Sequence, residues 1–119
     1  MDAASFDYTA AFSRNLGLIG PAEHEVLWGS RVAIAGMGAV GSAHLVTLAR
    51  MGIGGFRIAD FDTYEIHNIN RQAGAMASTL DAPKVEVMAQ MVRDINPTVD
   101  LRTYPEGICS RRGRTKPID

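Results

Sequence analysis

Arg71 and Lys84 are the residues that decide what chemistry this chain can do. They follow a glycine turn, Ile34-Ala35-Gly36-Met37-Gly38-Ala39-Val40-Gly41, and an acidic step, Asp60-Phe61-Asp62. Arg71 closes the run Asn68-Ile69-Asn70-Arg71-Gln72, and Lys84 sits in Pro83-Lys84-Val85. Gly36, Gly38 and Gly41 match G-x-G-x-x-G: the first permits a tight turn, the second brings backbone against phosphate, and the third lets the following helix pack on its strand. Asp60 stands where a carboxylate accepts hydrogen bonds from ribose hydroxyls. A dinucleotide site needs only those glycines and that acid. Arg71 adds a planar fork for phosphate oxygens and Lys84 a point charge, and both favour a transition state in which negative charge grows at phosphorus. Asp62 is placed to meet Mg²⁺ or the phosphates, because Mg²⁺ in such sites takes one or two carboxylates plus phosphate oxygens. The set points to ATP with Mg²⁺. Hydride transfer in a NAD(P)- or FAD-binding oxidoreductase domain is the alternative, and it leaves both cations idle.

The elements that must hold these residues are readable from pattern. Arg31 to Ala35 is a short apolar run rich in valine and isoleucine, expected as a buried strand. The glycine turn follows, then a helix over 42–51 with Leu45, Leu48 and Ala49 on one face. Phe56 to Ala59 is a second strand ending at Asp60. Strand, turn, helix, strand is a βαβ unit with parallel strands and a right-handed crossover. Residues 61–80 lack periodicity, and their content of Asp62, Asn68, Asn70, Arg71 and Gln72 marks a functional loop. A further helix is expected from Asp81-Ala82-Pro83, with Asp81 as N-cap and Val85, Met88, Met91, Val92 and Ile95 on its inner face. It puts Lys84 in a first turn, where the dipole disfavours a cation, so a functional reason is needed. A third strand is expected over 99–104. The predicted fold is α/β: the N-terminal half of a Rossmann-like doubly wound parallel sheet over 31–107. A helical extension (1–30) precedes it, with Pro21 to Trp28 helical, and a disordered tail (108–119) follows. Phe6, Tyr8, Phe12, Leu16, Leu18 and Ile19 are candidate anchors of the extension.

Bulk properties exclude several classes. With 119 residues the chain fits one small domain, and a net charge of −1 argues against a field that recruits nucleic acid or membrane. No apolar run approaches the ~20 residues of a membrane span. Cys109 is the only cysteine, which excludes an internal disulfide and a cysteine zinc site and suits a reducing cytoplasm. His24, His44 and His67 lack metal-ligand spacing and are expected on the surface or on helices.

The sequence resembles the ThiF/MoeB/HesA family, bacterial relatives of ubiquitin-activating E1 enzymes, a superfamily that includes tRNA threonylcarbamoyladenosine dehydratases. The resemblance runs from about Phe12 to Gly107. Its markers are Phe12-Ser13-Arg14, the glycine turn, Ala49-Arg50-Met51-Gly52-Ile53-Gly54, Asp60-Phe61-Asp62, the Asn68 to Gln72 and Pro83 to Val85 blocks, and Ile95-Asn96-Pro97. The resemblance implies an adenylyltransferase: a carboxylate of a ubiquitin-like or sulfur-carrier protein, or of a small molecule, attacks the ATP α-phosphate to give an acyl-adenylate and pyrophosphate. It also implies that Asp60 holds the ribose, that Asn68, Arg71 and Lys84 hold the phosphates, and that Arg14 reaches the ATP of the other subunit in a homodimer. The family's further, Mg²⁺-associated aspartate has no match here, and neither does its downstream half. The expectation is therefore an incomplete activating domain, with an inactive remnant or interaction module as a third reading.

Overall fold

The computed structural model describes residues 1–109 and 115–116. Three strands, β1 (Arg31–Ala35), β2 (Gly55–Ala59) and β3 (Asp100–Tyr104), form a parallel sheet in the order β1-β2-β3. Helix α3 (Ala39–Arg50) connects β1 to β2, and α4 (Lys84–Ile95) lies between β2 and β3. Before the sheet come α1 (Tyr8–Ala11), a 3₁₀ turn at Ser13–Asn15 and α2 (Pro21–Gly29). A short antiparallel pair, β4 (Ile108–Cys109) and β5 (Thr115–Lys116), follows it. The rest of the expected tail lies outside the described residues.

Alternation along the strands assigns the two sheet faces. Register aligns Val32 with Phe56 and Leu101, and Ile34 with Ile58. These residues pack with Leu45 and Ala49 of α3 and with Val85, Met88 and Val92 of α4, so one face carries the core. The intervening row aligns Ala33 with Arg57 and Arg102, and Ala35 with Ala59 and Tyr104. It lines an apolar hollow of about 540 Å³. At its margin Asp100 accepts hydrogen bonds from Arg57 and Arg31, each at 3.0 Å, and these two guanidinium groups hold its carboxyl below the ordinary range. The expectation of a buried β1 is corrected. Arg31, Ala33 and Ala35 are exposed, because β1 is an edge of the described sheet and its second face lies opposite the core formed with α3 and α4.

The extension is docked rather than loose. Tyr8 stacks on Trp28 with ring centroids 4.6 Å apart, and its hydroxyl donates to the Gly52 carbonyl at 2.5 Å, tying α1 to the turn after α3. His24 is buried in this aromatic cluster beside Tyr8 and Phe12. Of the expected anchors, Tyr8 and Phe12 are buried, but Leu18 is 91% exposed.

Two helix starts also differ from expectation. α3 begins at Ala39, inside the glycine turn, with Gly38 as its N-cap. α4 begins at Lys84, and Asp81 is not its N-cap. Asp81 instead adopts φ 67 and donates its N–H to the Tyr64 carbonyl at 2.9 Å. The segment pairs across Thr63 and Pro83 and delays the helix until that pairing ends. Among the described residues no helix is long and apolar enough to cross a membrane.

Candidate nucleotide-binding site

The glycine turn is fastened to the end of β2. Gly36 takes φ 93 and donates its N–H to the Ala59 carbonyl at 2.7 Å. Asp60, 3% exposed, accepts the Met37 N–H on one carboxylate oxygen at 2.7 Å and the Asp62 N–H on the other at 2.8 Å. The carboxylate thus locks the turn before α3 to the loop after β2. The glycines have different reasons. A Cβ on Gly41 would stand 1.8 Å from the Gly36 carbonyl oxygen, so the third glycine permits close approach within the protein. A Cβ on Gly38 would meet only Gln72 Nε2, at 3.9 Å, so the second glycine keeps space open in front of the helix. No side chain caps α3, which leaves first-turn N–H groups and the positive end of the dipole directed at that space.

A polar pocket of about 460 Å³ opens there, lined by Gly38, Ala39 and Val40 from the helix start, by Asp62, Thr63, Glu65, His67, Asn68, Arg71 and Gln72 from the following loop, and by Lys84. The loop is built from 3₁₀ turns at Ile66–Asn68 and Ala77–Thr79. Asn68 Oδ1 accepts the Glu65 N–H at 2.8 Å, which fixes the amide of this buried side chain and leaves its NH₂ end as a donor. Arg71 donates to the His67 carbonyl at 3.0 Å and to Asn70 Oδ1 at 2.9 Å, so the exposed guanidinium is anchored on the loop's own backbone. Lys84 is 6% exposed. Its backbone N–H donates to the Asp62 carbonyl at 3.0 Å, and its Nζ lies 5.9 Å from the centroid of the Tyr64 ring. Burial, with the Asp60 charge nearby, pushes the Tyr64 hydroxyl up to about 12. Tyr64 is therefore a neutral aromatic floor under the lysine at physiological pH.

The structure brings Gly38, Asp62, Asn68, Arg71 and Lys84 to one pocket, as the sequence predicts. Gly36 and Gly41 shape the turn behind it. Asp60 lies beneath the turn and does not line the pocket, and Arg14 is exposed on its own 3₁₀ turn away from it. Glu65 and His67 also line the pocket without having been singled out for it from the sequence, and Gln72, named there only as part of the functional loop, lines it too. His67 Nδ1 stands 3.4 Å from Glu65 Oε2, an exposed pair on the same turn as Asn68. Their closeness in sequence to Asn68 and Arg71 was the available signal. Among the described residues no three His, Cys, Asp or Glu side chains converge on a metal position. The donor set still suits a Mg²⁺ held mainly by phosphates, which needs one or two carboxylates, and both Asp62 and Glu65 line the pocket.

A parallel sheet whose first crossover is a glycine-led helix with no side-chain cap places the chain among Rossmann-like α/β domains. Residues 12–116 match the ThiF family, and the chain belongs to that family. It is 43% identical over 90 residues to the tRNA threonylcarbamoyladenosine dehydratase of Bacillus subtilis (strain 168), covering 76% of this chain and 35% of that protein. It is 39% identical over 77 residues to the molybdopterin-synthase adenylyltransferase of Escherichia coli (strain K12), covering 65% of this chain and 31% of that one. The crystal structure of the E. coli tRNA N6-threonylcarbamoyladenosine dehydratase in complex with ATP superposes with a TM-score of 0.82 at 30% identity, covering 85% of this chain and 42% of that one. The chain thus spans less than half the length of these relatives, and the shared part is the Rossmann-like half that carries the pocket.

Proposed function

We propose that this chain is the ATP-binding half of an E1-like adenylyltransferase. The observation that carries the reading is the convergence of Arg71 and Lys84 on the uncapped start of α3, with room kept by Gly38. A relative solved with bound ATP supports the choice of nucleotide. Asn68, Arg71, Lys84 and the α3 N–H groups hold the triphosphate. Asp62 meets the Mg²⁺ that ATP brings. A carboxylate oxygen of the acceptor attacks the α-phosphorus, the bond to the β-phosphate's bridging oxygen breaks, and pyrophosphate departs with its electron pair. Lys84 and Arg71 offset the charge that develops on the phosphate oxygens. The acceptor is the C-terminal carboxylate of a sulfur-carrier or ubiquitin-like protein or a small carboxylic acid, in keeping with relatives named as adenylyltransferases and as a SAMP-activating enzyme E1. A homodimer in which Arg14 serves the neighbouring subunit's ATP, in a reducing cytoplasm, completes the reading.

Thermal unfolding with ATP·Mg²⁺, NAD, NADP and FAD tests it, because a ligand that binds only the folded state raises the midpoint. At a hundredfold excess over Kd the expected gain is about 2.7 kcal/mol. ATP·Mg²⁺ alone should produce it, and Arg71→Ala and Lys84→Ala should abolish most of it. A shift with NAD or FAD and none with ATP would replace this reading by the oxidoreductase one.

A further inference from the structure

Gln72 is buried, 7% exposed, and its Oε1 has no hydrogen-bond partner. Its backbone is fully used: the N–H donates to the Asn68 carbonyl at 2.9 Å and its own carbonyl accepts from Ala75 at 3.0 Å. The side chain is therefore held by a rigid turn, not by any partner of its amide. Burying an amide acceptor without a partner destabilises a fold, and such groups are uncommon in native proteins. A leucine of similar size would remove that penalty. What distinguishes glutamine here is the other end of the amide. Nε2 lies 3.9 Å from where a Cβ on Gly38 would sit, and Gly38 has none. The amide group thus faces the gap in front of α3, where uncapped N–H groups, Arg71 and Lys84 all favour negative charge. An anion seated there presents only acceptors, so it selects the amide orientation with NH₂ forward.

We infer that Gln72 is a phosphate-contacting residue of this site, its Nε2 donating to a triphosphate oxygen through the space that Gly38 leaves open. The inference rests on the ATP reading above. Its contribution is a neutral, directional hydrogen bond. Unlike Arg71 and Lys84, it fixes where one oxygen sits without adding charge.

Isothermal titration with ATP·Mg²⁺ and with inorganic triphosphate on the full chain tests it, alongside the midpoint without ligand. Gln72→Leu should keep or raise the unliganded midpoint while weakening both ligands by about tenfold to a hundredfold, the range for a hydrogen bond to a charged group. Gln72→Glu keeps the shape but turns a carboxylate on the phosphates, so it should weaken them further. Gln72→Met, unbranched and of the same length, replaces leucine if that variant fails to fold. Unchanged ATP·Mg²⁺ affinity in a folded Gln72→Leu or Gln72→Met would make Gln72 a packing residue and overturn the inference while leaving the ATP reading intact. Absence of binding by the unmodified chain would overturn both.

Discussion

Two hollows of comparable size open on this small sheet, about 540 Å³ on the face opposite α3 and α4 and about 460 Å³ at the start of α3. The first is walled by strand residues, chiefly Ala33, Ala35, Ala59 and Tyr104, whose backbone is paired within the sheet. The second is walled by a helix start and a loop, which present N–H groups, amides and two cations. Regular structure satisfies its own polar groups and so leaves an apolar surface that suits packing. Chain ends of helices and irregular loops leave polar groups over, and those suit a charged ligand. Volume alone separates nothing here. The origin of each wall does.

The largest test of this contrast lies between two glycines of the same turn. Gly41→Ala sets a methyl carbon against the Gly36 carbonyl, and backbone cannot step aside as a side chain can. It should lower stability by about 1–3 kcal/mol or more. Gly38→Ala meets no backbone, so stability should change by less than about 1 kcal/mol, while ATP·Mg²⁺ binding falls because the methyl group occupies ligand space. Equal loss of stability in both would end the distinction between a structural and a ligand-facing glycine.

Asp60→Asn comes next. If the carboxylate is a clamp, replacing it leaves one buried N–H facing an NH₂ group, and the unliganded protein should lose about 2–3 kcal/mol by chemical denaturation. An unchanged unliganded stability with weaker ATP binding would return Asp60 to the ribose role that the resemblance implies. The smallest effect is expected on the other side of the sheet. Ala33→Glu should leave ATP·Mg²⁺ affinity unaltered and stability within about 0.5 kcal/mol, because Ala33 faces outward. A marked fall in stability would mean that this face is covered in solution and that the two hollows do different work from that described.

Much of this was legible in the sequence, and the exceptions share a cause. The βαβ unit, the strand limits to within about a residue and the meeting of Gly38, Arg71 and Lys84 followed from periodicity and spacing. In Arg31-Val32-Ala33-Ile34-Ala35 the alternation was present, but alanine is apolar and small, so Ala33 and Ala35 read as buried when they are not. Asp81 carried the residue type of an N-cap. The pairing of Thr63 with Pro83 that displaced it is tertiary and leaves no local mark. Asp60 was placed correctly at the end of β2, yet its two backbone partners come from segments brought together only by folding. Glu65 and His67 lie in a stretch without period, where sequence cannot tell which side chains border the pocket.

The pairing at Thr63 and Pro83 bears on how the loop tolerates substitution. It staples residues 64–82 at their base, with the Lys84 N–H fixed to the Asp62 carbonyl on one side and Asp60 fixed to the glycine turn on the other. Lys84 is set below the staple, while Asn68, Arg71 and Gln72 are set above it. Lengthening or exchanging the outer part costs little in loop-closure entropy once the base is held. The fold therefore fixes Lys84 through backbone bonds, so substitutions at the exposed outer residues of the loop leave the lysine in place.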